Sequence, residues 1–258
     1  MISVQNPYGG FAGVYDYLMS DMPYGDWLGW LDAYWELNGR PSRVVDLGCG
    51  TGTISIPLAA SGLRVVGIDI SETMLSVAQH KEAAARSETP MAGNVQWSRQ
   101  DMREWSWPEP ADSAISLCDC MSYLLTEDDV RRTIERVWEG LAPGGTFIFD
   151  MHHRNQMEEY AFNEPFILDE EDVSYIWTCE LDDRTVTVTH RLSFFIREGD
   201  RYVKVAETHR QRAYPAETIV TLLEEAGFTD VQSYSDFSFE PIDDDSTLRM
   251  FFAARKPA

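Results

Sequence analysis

The chain has few basic residues, and lysine occurs only at Lys81, Lys204 and Lys256. Its 258 residues include 43 Asp and Glu against 21 Lys and Arg, so the formal net charge is −22. Such a surface repels the phosphates of nucleic acids and of anionic lipids. The densest basic cluster, residues 209–212, has an acid beside it at Glu207. We therefore expect no nucleic-acid partner and no membrane partner.

Cysteines and long apolar runs are also scarce. The four cysteines, at positions 49, 118, 120 and 179, form no Cys-x-x-Cys pair and have no histidine at metal-ligand spacing. No apolar run approaches the ~18 residues of a membrane span. The N-terminus lacks the basic segment and apolar run of a signal peptide. We expect free thiols, no metal site and a cytoplasmic protein, while the oligomeric state stays open.

Between residues 43 and 150, short apolar strands alternate with helical segments. This pattern is typical of an α/β fold with a parallel sheet and helices on both of its faces. The predicted strands here include 44–47, 63–68, 114–117 and 147–149. The predicted helices are 53–61, 72–85 and 127–141. The polar segment 86–93 contains Pro90 and Gly93 and is expected to be a loop.

Residues 8–38 are predicted to be largely helical and to cap the main domain. Aromatic side chains recur there at near-helical spacing, so most of them are expected to pack inward. They are Tyr15, Tyr17, Trp27, Trp30, Tyr34 and Trp35.

The pattern changes after residue 172. Apolar residues recur at every second position in 173–181, 186–196 and 202–214, and short polar turns separate these runs. Tight turns between alternating runs indicate an inserted antiparallel β meander. A helix at 215–226 and strands at 231–237 and 248–255 are predicted to complete the chain.

A glycine turn follows the first predicted strand. Residues 44–47 contain Asp46, and glycines follow at Gly48, Gly50 and Gly52. Glycine permits positive φ and lets a ligand lie against bare backbone. The next strand ends in a second carboxylate, Asp69. A glycine turn and an acid at neighbouring strand ends suit a nucleoside ligand.

The glycine spacing and Asp46 discriminate between nucleoside ligands. Dinucleotide sites typically carry Gly-x-Gly-x-x-Gly and aim a helix N-terminus at a pyrophosphate. Here the glycines are evenly spaced, and the Asp46 carboxylate would repel a pyrophosphate but attract a cationic amino group. S-adenosylmethionine carries such a group and has no phosphate. A nucleotide-dependent oxidoreductase and a non-catalytic S-adenosylmethionine-binding protein remain alternatives.

The segment 46–52 resembles the first motif, (Asp/Glu)-x-Gly-x-Gly-x-Gly, of the class I S-adenosylmethionine-dependent methyltransferases. The likeness continues at Asp69, at Asp101, at 118–123 and at 141–146, in the family's order. Residues 8–16 look like the N-terminal cap of small, uncharacterised bacterial members. The resemblance implies a doubly wound, mostly parallel seven-stranded sheet with an antiparallel last strand. It also implies S-adenosylmethionine as cofactor and a methyltransferase activity.

The resemblance further implies roles for individual residues. Asp69 would hold the ribose hydroxyls and Asp101 the adenine amino group, while Tyr8 and Tyr15 would close over the methionine end or serve as core aromatics. Asp119 is a further candidate near the cofactor. The alternative is that its neighbours Cys118 and Met121 reach the cofactor through backbone or apolar contact instead. The candidate cofactor-binding residues are Tyr8, Tyr15, Asp46, Gly48, Cys49, Gly50, Gly52, Asp69, Ile70, Asp101, Met102, Cys118 and Asp119.

Methyl transfer from a sulfonium is an in-line displacement that mainly needs alignment and exclusion of water. We expect a small-molecule acceptor. His152 and His153 follow the fifth strand, so they are the candidate catalytic bases, although a capping or solvent-facing role is also open.

The predicted domains are a core of 1–150 and 213–258, with the helical cap at 1–40, and an inserted antiparallel β lid at 151–212. Ligands of open α/β sheets bind beyond the carboxyl ends of the strands. The insertion begins at that edge, so the lid and the cap are expected to form the acceptor pocket.

Overall fold

The computed structural model describes residues 12–258, with seven α-helices, one 3-10 helix and eleven strands in that range. The helices are α1 Ala12–Leu18, α2 Tyr24–Asn38, α3 Ser55–Ala60, α4 Glu72–Glu88, α5 Glu127–Gly140, α6 Arg154–Asn163 and α7 Ala216–Glu225, with the 3-10 helix at Cys120–Tyr123. The strands are β1 Arg43–Leu47, β2 Arg64–Asp69, β3 Asn94–Arg99, β4 Ala111–Ser116, β5 Leu141–His152, β6 Phe166–Asp169, β7 Val173–Asp182, β8 Thr187–Glu198, β9 Arg201–Arg212, β10 Thr229–Ser235 and β11 Arg249–Arg255.

Seven strands form the main sheet in the order β10-β11-β5-β4-β1-β2-β3. Strands β3, β2, β1, β4 and β5 run parallel, and β11 is antiparallel to both of its neighbours, β5 and β10. The predicted fold class is therefore confirmed. The order reverses between β1 and β4, which creates the crevice where open α/β sheets bind ligands.

Helices cover both faces of this sheet because its central strands are apolar on both sides. One buried cluster joins the sheet to α5 and α7, through Val130 and Ile134 on α5 and Leu222 on α7. A second cluster joins the opposite face to α2 and α3, through Trp30 and Leu58. The two helix layers hold the sheet, and with it the strand ends that border the cleft.

Helix α2 packs largely as its sequence spacing predicts. Trp27, Trp30, Tyr34 and Trp35 are all at least 96% buried. Tyr17, on α1, does not pack inward as predicted: it is 57% exposed, and its hydroxyl donates to Glu170 in the loop between β6 and β7.

A second, four-stranded antiparallel sheet with the order β6-β7-β8-β9 is inserted after β5. Three of these strands correspond to the predicted meander. Strand β6 was not predicted, because it is only four residues long, shows no period-two pattern and pairs entirely with β7. Helix α6 precedes it and packs on this sheet through Met157, next to Cys179 and Val188.

Helix α4 is longer than predicted and reaches Glu88, so only the later part of 86–93 is a loop. The last turn is stabilised by an ion pair between Arg86 and Glu82, one turn earlier, at 2.7 Å. Alanines at 83–85 also favour helix here.

Candidate active site

A cleft of about 610 Å³ opens at the carboxyl ends of the parallel strands. Its walls come from the glycine turn after β1, from the ends of β2 and β4, from α1 and from the inner face of the second sheet. The volume falls within the range of about 300–1,000 Å³ that is typical of small-molecule sites.

Backbone hydrogen bonds hold the glycine turn beneath the neighbouring strand. The N–H groups of Gly48 and Cys49 both donate to the carbonyl of Ile68, at 2.8 and 3.0 Å. A Cβ at Gly52 would lie 2.5 Å from the Trp97 ring, so packing as well as its φ of +77° favours glycine there. The turn is therefore a rigid platform.

Gly50 differs from its neighbours because its surroundings are open. It has a φ of +54°, and a Cβ placed on it would meet no atom within 4 Å. Its N–H donates to Asp69 Oδ2 at 2.9 Å, and Asp69 Oδ1 accepts from the Ser71 N–H at 2.8 Å. Both oxygens keep lone pairs for further donors such as ribose hydroxyls. The bare edge of Gly50 and the Asp69 carboxylate thus border the same part of the cleft.

Asp46 lies beneath this turn and is only 2% exposed. Burial raises its pKa to about 7, the Ser55 hydroxyl that donates to it at 2.5 Å opposes the rise, and the charge of Asp69 adds to it. Burial likewise raises the pKa of Asp69. Within residues 12–258 neither carboxylate forms an ion pair with a basic side chain, so the buried Asp46 and the half-buried Asp69 give this part of the cleft an acidic character.

Asp101 lies in the loop after β3 and lines the cleft with Met102. Arg103 donates to both of its oxygens, at 2.6 and 3.0 Å, and this lowers the pKa of Asp101. Arg103 also pairs with Asp129 on α5 at 2.9 Å. The Asp101 carboxylate is therefore held in place, and it stays ionised as a hydrogen-bond acceptor.

The chain leaves β4 through two consecutive residues with left-handed backbone, Cys118 at φ 58° and Asp119 at φ 55°. Such strain in non-glycine residues often marks a functional site. The Asp119 N–H donates to Asp150 Oδ2 at 2.9 Å. Its side chain accepts from Gln211 at 2.6 Å and pairs with Arg249 at 3.1 Å. The strained turn is thus supported by β5, β9 and β11.

Arg249 is the centre of a buried charge cluster. It forms ion pairs with Asp119 and Asp150, and its guanidinium lies 4.8 Å from the Trp27 ring. Trp27 in turn donates to Asp150 at 3.1 Å. Burial alone would raise the pKa of Asp119, but His152 and Arg249 outweigh it and hold this pKa well below its usual range. The cluster connects β5, β11 and α2 with the turn after β4.

His152 and His153 do not line the cleft among the described residues. His152 is 2% exposed, and its Nε2 lies 3.4 Å from Asp119 Oδ2. The His153 ring accepts from the Asn155 N–H at 3.3 Å and so caps α6. This geometry favours positioning of Asp119 by His152 and capping by His153. Their role as bases stays a prediction.

The inner face of the second sheet supplies residues that the sequence-based site did not include. On β8 and β9, His190 and His209 face each other in register, and both are buried. The position of His190 in the period-two pattern with Leu192 and Phe194 is the sequence signal that it shares their face. The residues of the second sheet that line the cleft are Tyr175, Trp177, His190, Leu192, Phe194, His209 and Gln211.

The remaining candidate residues fall into three groups. Tyr8 lies outside the described residues. Tyr15 and Ile70 line the cleft with the residues above, and Ile70 is 58% exposed. Cys49 and Gly52 belong to the platform and do not line the cleft themselves.

None of the helices in the described range, residues 12–258, combines the length and the apolar character needed to cross a bilayer.

Sequence comparison relates the whole described fold to known proteins. The family described as "Methyltransferase domain" matches residues 44–145. YqeM of Bacillus subtilis (strain 168), which is named as a methyltransferase without a stated substrate, is 38% identical over 251 residues. That match covers 96% of this chain and 97% of YqeM. A protein from Geobacillus sp. (strain WCH70) with the same type of name is 36% identical, over 96% of this chain and 99% of its own length.

Structural comparison agrees. The crystal structure of an S-adenosylmethionine-dependent methyltransferase from Clostridium acetobutylicum ATCC 824 superposes with a TM-score of 0.82 at 25% identity. The superposition covers 97% of this chain and 99% of that protein, so it includes the inserted sheet. The open edge at Gly50 and the acids around it fit the same cofactor. The chain therefore belongs to the S-adenosylmethionine-dependent methyltransferase family.

Proposed function

We propose that this enzyme transfers the methyl group of S-adenosylmethionine to a small-molecule acceptor, and that the acceptor binds beneath the lid. The proposal rests on one observation. A single continuous cleft is lined on one side by Gly50, Asp69 and Asp101, and on the other by lid residues such as Trp177 and His209. Donor and acceptor would thus meet inside one enclosed space.

The proposed cofactor contacts follow from the chemistry of the residues. Gly50 would lie against the ligand, since its Cα faces open space. Asp69 would accept from the ribose hydroxyls, Asp101 would accept from the adenine amino group, and Asp46 would stabilise the α-ammonium group. When bound, S-adenosylmethionine supplies an electrophilic methyl group on a sulfonium.

Water must be excluded during transfer, and α1 contributes to this. Asp16 on α1 accepts from Thr51 in the glycine turn at 2.6 Å and pairs with Lys81 at 2.8 Å. At the other edge, the Tyr17 hydroxyl donates to Glu170 in the loop between β6 and β7. We propose that residues 151–212 form a lid and residues 1–40 a cap. Together they would align the acceptor for in-line attack.

The size and charge of the protein support a small acceptor. A cleft of about 610 Å³ that also holds the cofactor has little room for a macromolecule. The net charge of −22 disfavours RNA. We further propose a cytoplasmic location, which the four free cysteines support.

Calorimetry and a transfer assay test the proposal. The purified chain is titrated with S-adenosylmethionine, S-adenosylhomocysteine and NADH, and we expect binding of the first two only. Methyl-tritiated cofactor is then incubated with panels of small hydroxyl and amine compounds and, separately, with tRNA. Label in a small molecule supports the proposal. Binding of NADH alone, or label in tRNA alone, contradicts it.

A further inference from the structure

Three polar side chains form a chain from the lid interior to the cleft. Tyr123, on the 3-10 helix after β4, has its hydroxyl 3.3 Å from His209 Nδ1. His209 Nε2 lies 3.5 Å from Glu207 Oε2. His209 and Glu207 are 6% and 5% exposed, whereas Tyr123 and His209 both line the cleft. The chain therefore connects a buried carboxylate to the ligand space.

The contacts define the direction in which a proton can move. An ionised carboxylate only accepts hydrogen bonds, so the Glu207 contact favours a proton on His209 Nε2. Nδ1 then presents its lone pair to the Tyr123 hydroxyl. A phenol facing a histidine lone pair can give up its own proton as it receives another.

Tyr123 lies on the short 3-10 helix that contacts the glycine turn of the proposed cofactor site. It follows the strained residues Cys118 and Asp119, which also line the cleft. The first residue of its helix, Cys120, donates to the Gly48 carbonyl at 3.2 Å. A group that reacts with a methyl donor beside the glycine turn would therefore be close to the Tyr123 hydroxyl.

We propose that Tyr123, His209 and Glu207 form a proton relay for a hydroxyl acceptor; this inference rests on the proposed methyl transfer. The acceptor O–H gives its proton to the Tyr123 oxygen while the tyrosine proton passes to His209 Nδ1. The acceptor oxygen forms the new bond to the methyl carbon, and the carbon–sulfur bond breaks with its electrons on sulfur. Glu207 stabilises the resulting imidazolium.

A second lid histidine indicates that the ligand presents oxygen. Trp177 donates to His190 Nδ1 at 3.1 Å, and an indole N–H can only donate. A neutral His190 therefore carries its proton on Nε2. That atom is buried beside the Gln211 side chain, whose hydrogen bond raises the pKa of the ring, and an oxygen of a bound ligand would compete with Gln211 for this N–H.

The charge state of His190 favours the same conclusion. Burial, together with His152 and His209, lowers the pKa of His190 to about 4. The ring is thus a neutral donor at the cleft wall. A donor N–H matches an oxygen lone pair and opposes an ammonium group, which has only donors. A methyl acceptor with a reactive hydroxyl would supply the proton that passes to His209, and a neighbouring oxygen would accept a hydrogen bond from His190.

Histidine NMR tests the relay without a known substrate. In ¹⁵N-histidine-labelled protein with S-adenosylhomocysteine, we expect His209 to be protonated at Nε2, and we expect Glu207→Gln to change its tautomer populations. His80→Gln identifies an exposed histidine and serves as the matched control. A His209 proton on Nδ1, or a spectrum that Glu207→Gln leaves unchanged, overturns the relay. Binding of S-adenosylhomocysteine in the same sample tests the proposed function separately.

Transfer kinetics test the acceptor class. With a panel of phenols, catechols and aliphatic alcohols beside a panel of amines, we expect label in a hydroxyl compound. Tyr123→Phe and His209→Gln should lower kcat by roughly 100-fold or more, leave KM nearly unchanged and remove the solvent isotope effect on kcat. Tyr202→Phe, an exposed tyrosine, should change nothing. Label in amines only, no label in hydroxyls while cofactor binding is intact, or unaltered variants each overturn the proposal.

Discussion

The buried carboxylate of Asp46 makes cofactor affinity depend on pH in a predictable direction. Its pKa is raised to about 7 in the free protein, mainly by burial. A cationic ligand binds the ionised carboxylate more tightly than the neutral acid. Affinity should therefore fall as the pH drops below 7, because the proton must first be removed.

The expected size follows from the pKa. If the ligand binds only ionised Asp46, the apparent Kd scales as 1 + 10^(pKa − pH), so a change from about pH 7.0 to about pH 5.5 weakens binding roughly 16-fold, or about 1.6 kcal/mol. The ligand amino group remains mostly charged over this range. Replacing Asp46 by Asn removes the titration and keeps an acceptor for Ser55. The variant should bind less tightly at pH 7 and show a much smaller pH slope.

Titration calorimetry with S-adenosylhomocysteine measures both proteins at each pH. Buffers of different ionisation enthalpy report the protons released on binding, which should approach one per site near pH 6 in the wild type. Asp69, whose pKa burial also raises, accounts for any slope that remains in D46N. Equal slopes in the two proteins, with circular dichroism showing both folded, would refute the electrostatic role assigned to Asp46.

Three further changes have defined outcomes. The pKa of Asp46 is raised from 3.8 to about 7. The protonated carboxyl group therefore contributes stability that is fully present below pH 3.8 and is lost as the pH rises through 7. Because the D46N side chain does not titrate, its free energy of unfolding in urea should gain up to about 4 kcal/mol relative to wild type across that window. Gly50→Ala places a methyl group in the cleft and should weaken S-adenosylhomocysteine binding about tenfold or more in calorimetry. Gly199→Ala, at a φ of +68° with equally open surroundings but outside the cleft, should destabilise by about 1 kcal/mol without changing affinity. Arg249→Met leaves the buried Asp150 and the partly buried Asp119 without their cation and should lower the free energy of unfolding by about 3–5 kcal/mol; a thermal-melt curve that matches wild type would contradict this.

The features that the sequence predicted are those set by neighbouring residues along the chain. A strand, a turn with evenly spaced glycines and a helix follow one another within 43–60, so Asp46 and Gly50 were recognisable. Asp69 was recognisable for the same reason, as the acid that ends the next strand. The carboxyl ends of neighbouring parallel strands lie at the same edge of the sheet, so residues that follow successive strands in the sequence lie close together in the structure.

The features that were missed depend on contacts between distant segments. Asp119 and Arg249 are 130 positions apart, and no local pattern announces their pairing. Tyr123 and His209 are likewise separated by 86 positions. Strand β6 was missed because its pairing with β7 determines it, while its own four residues carry too little periodicity. The proximity of His152, at the end of β5, to Asp119 is likewise set by packing between separate segments, and its role as a base stays a prediction.

The insertion of the second sheet between β5 and α7 has a consequence for diversification and for engineering. Because the chain leaves and re-enters the core at the same edge, the inserted sheet could be exchanged between relatives without changing the residues of the proposed cofactor site. The segment in which the chain re-enters the core after β9 sets the boundary of such an exchange. Arg212 donates to the Leu125 carbonyl at 3.0 Å, and Tyr214 donates to the Leu124 carbonyl at 2.6 Å. A grafted sheet that keeps these two hydrogen bonds would dock on the core in the same way. The residues on its inner face could then be changed to bind a new substrate.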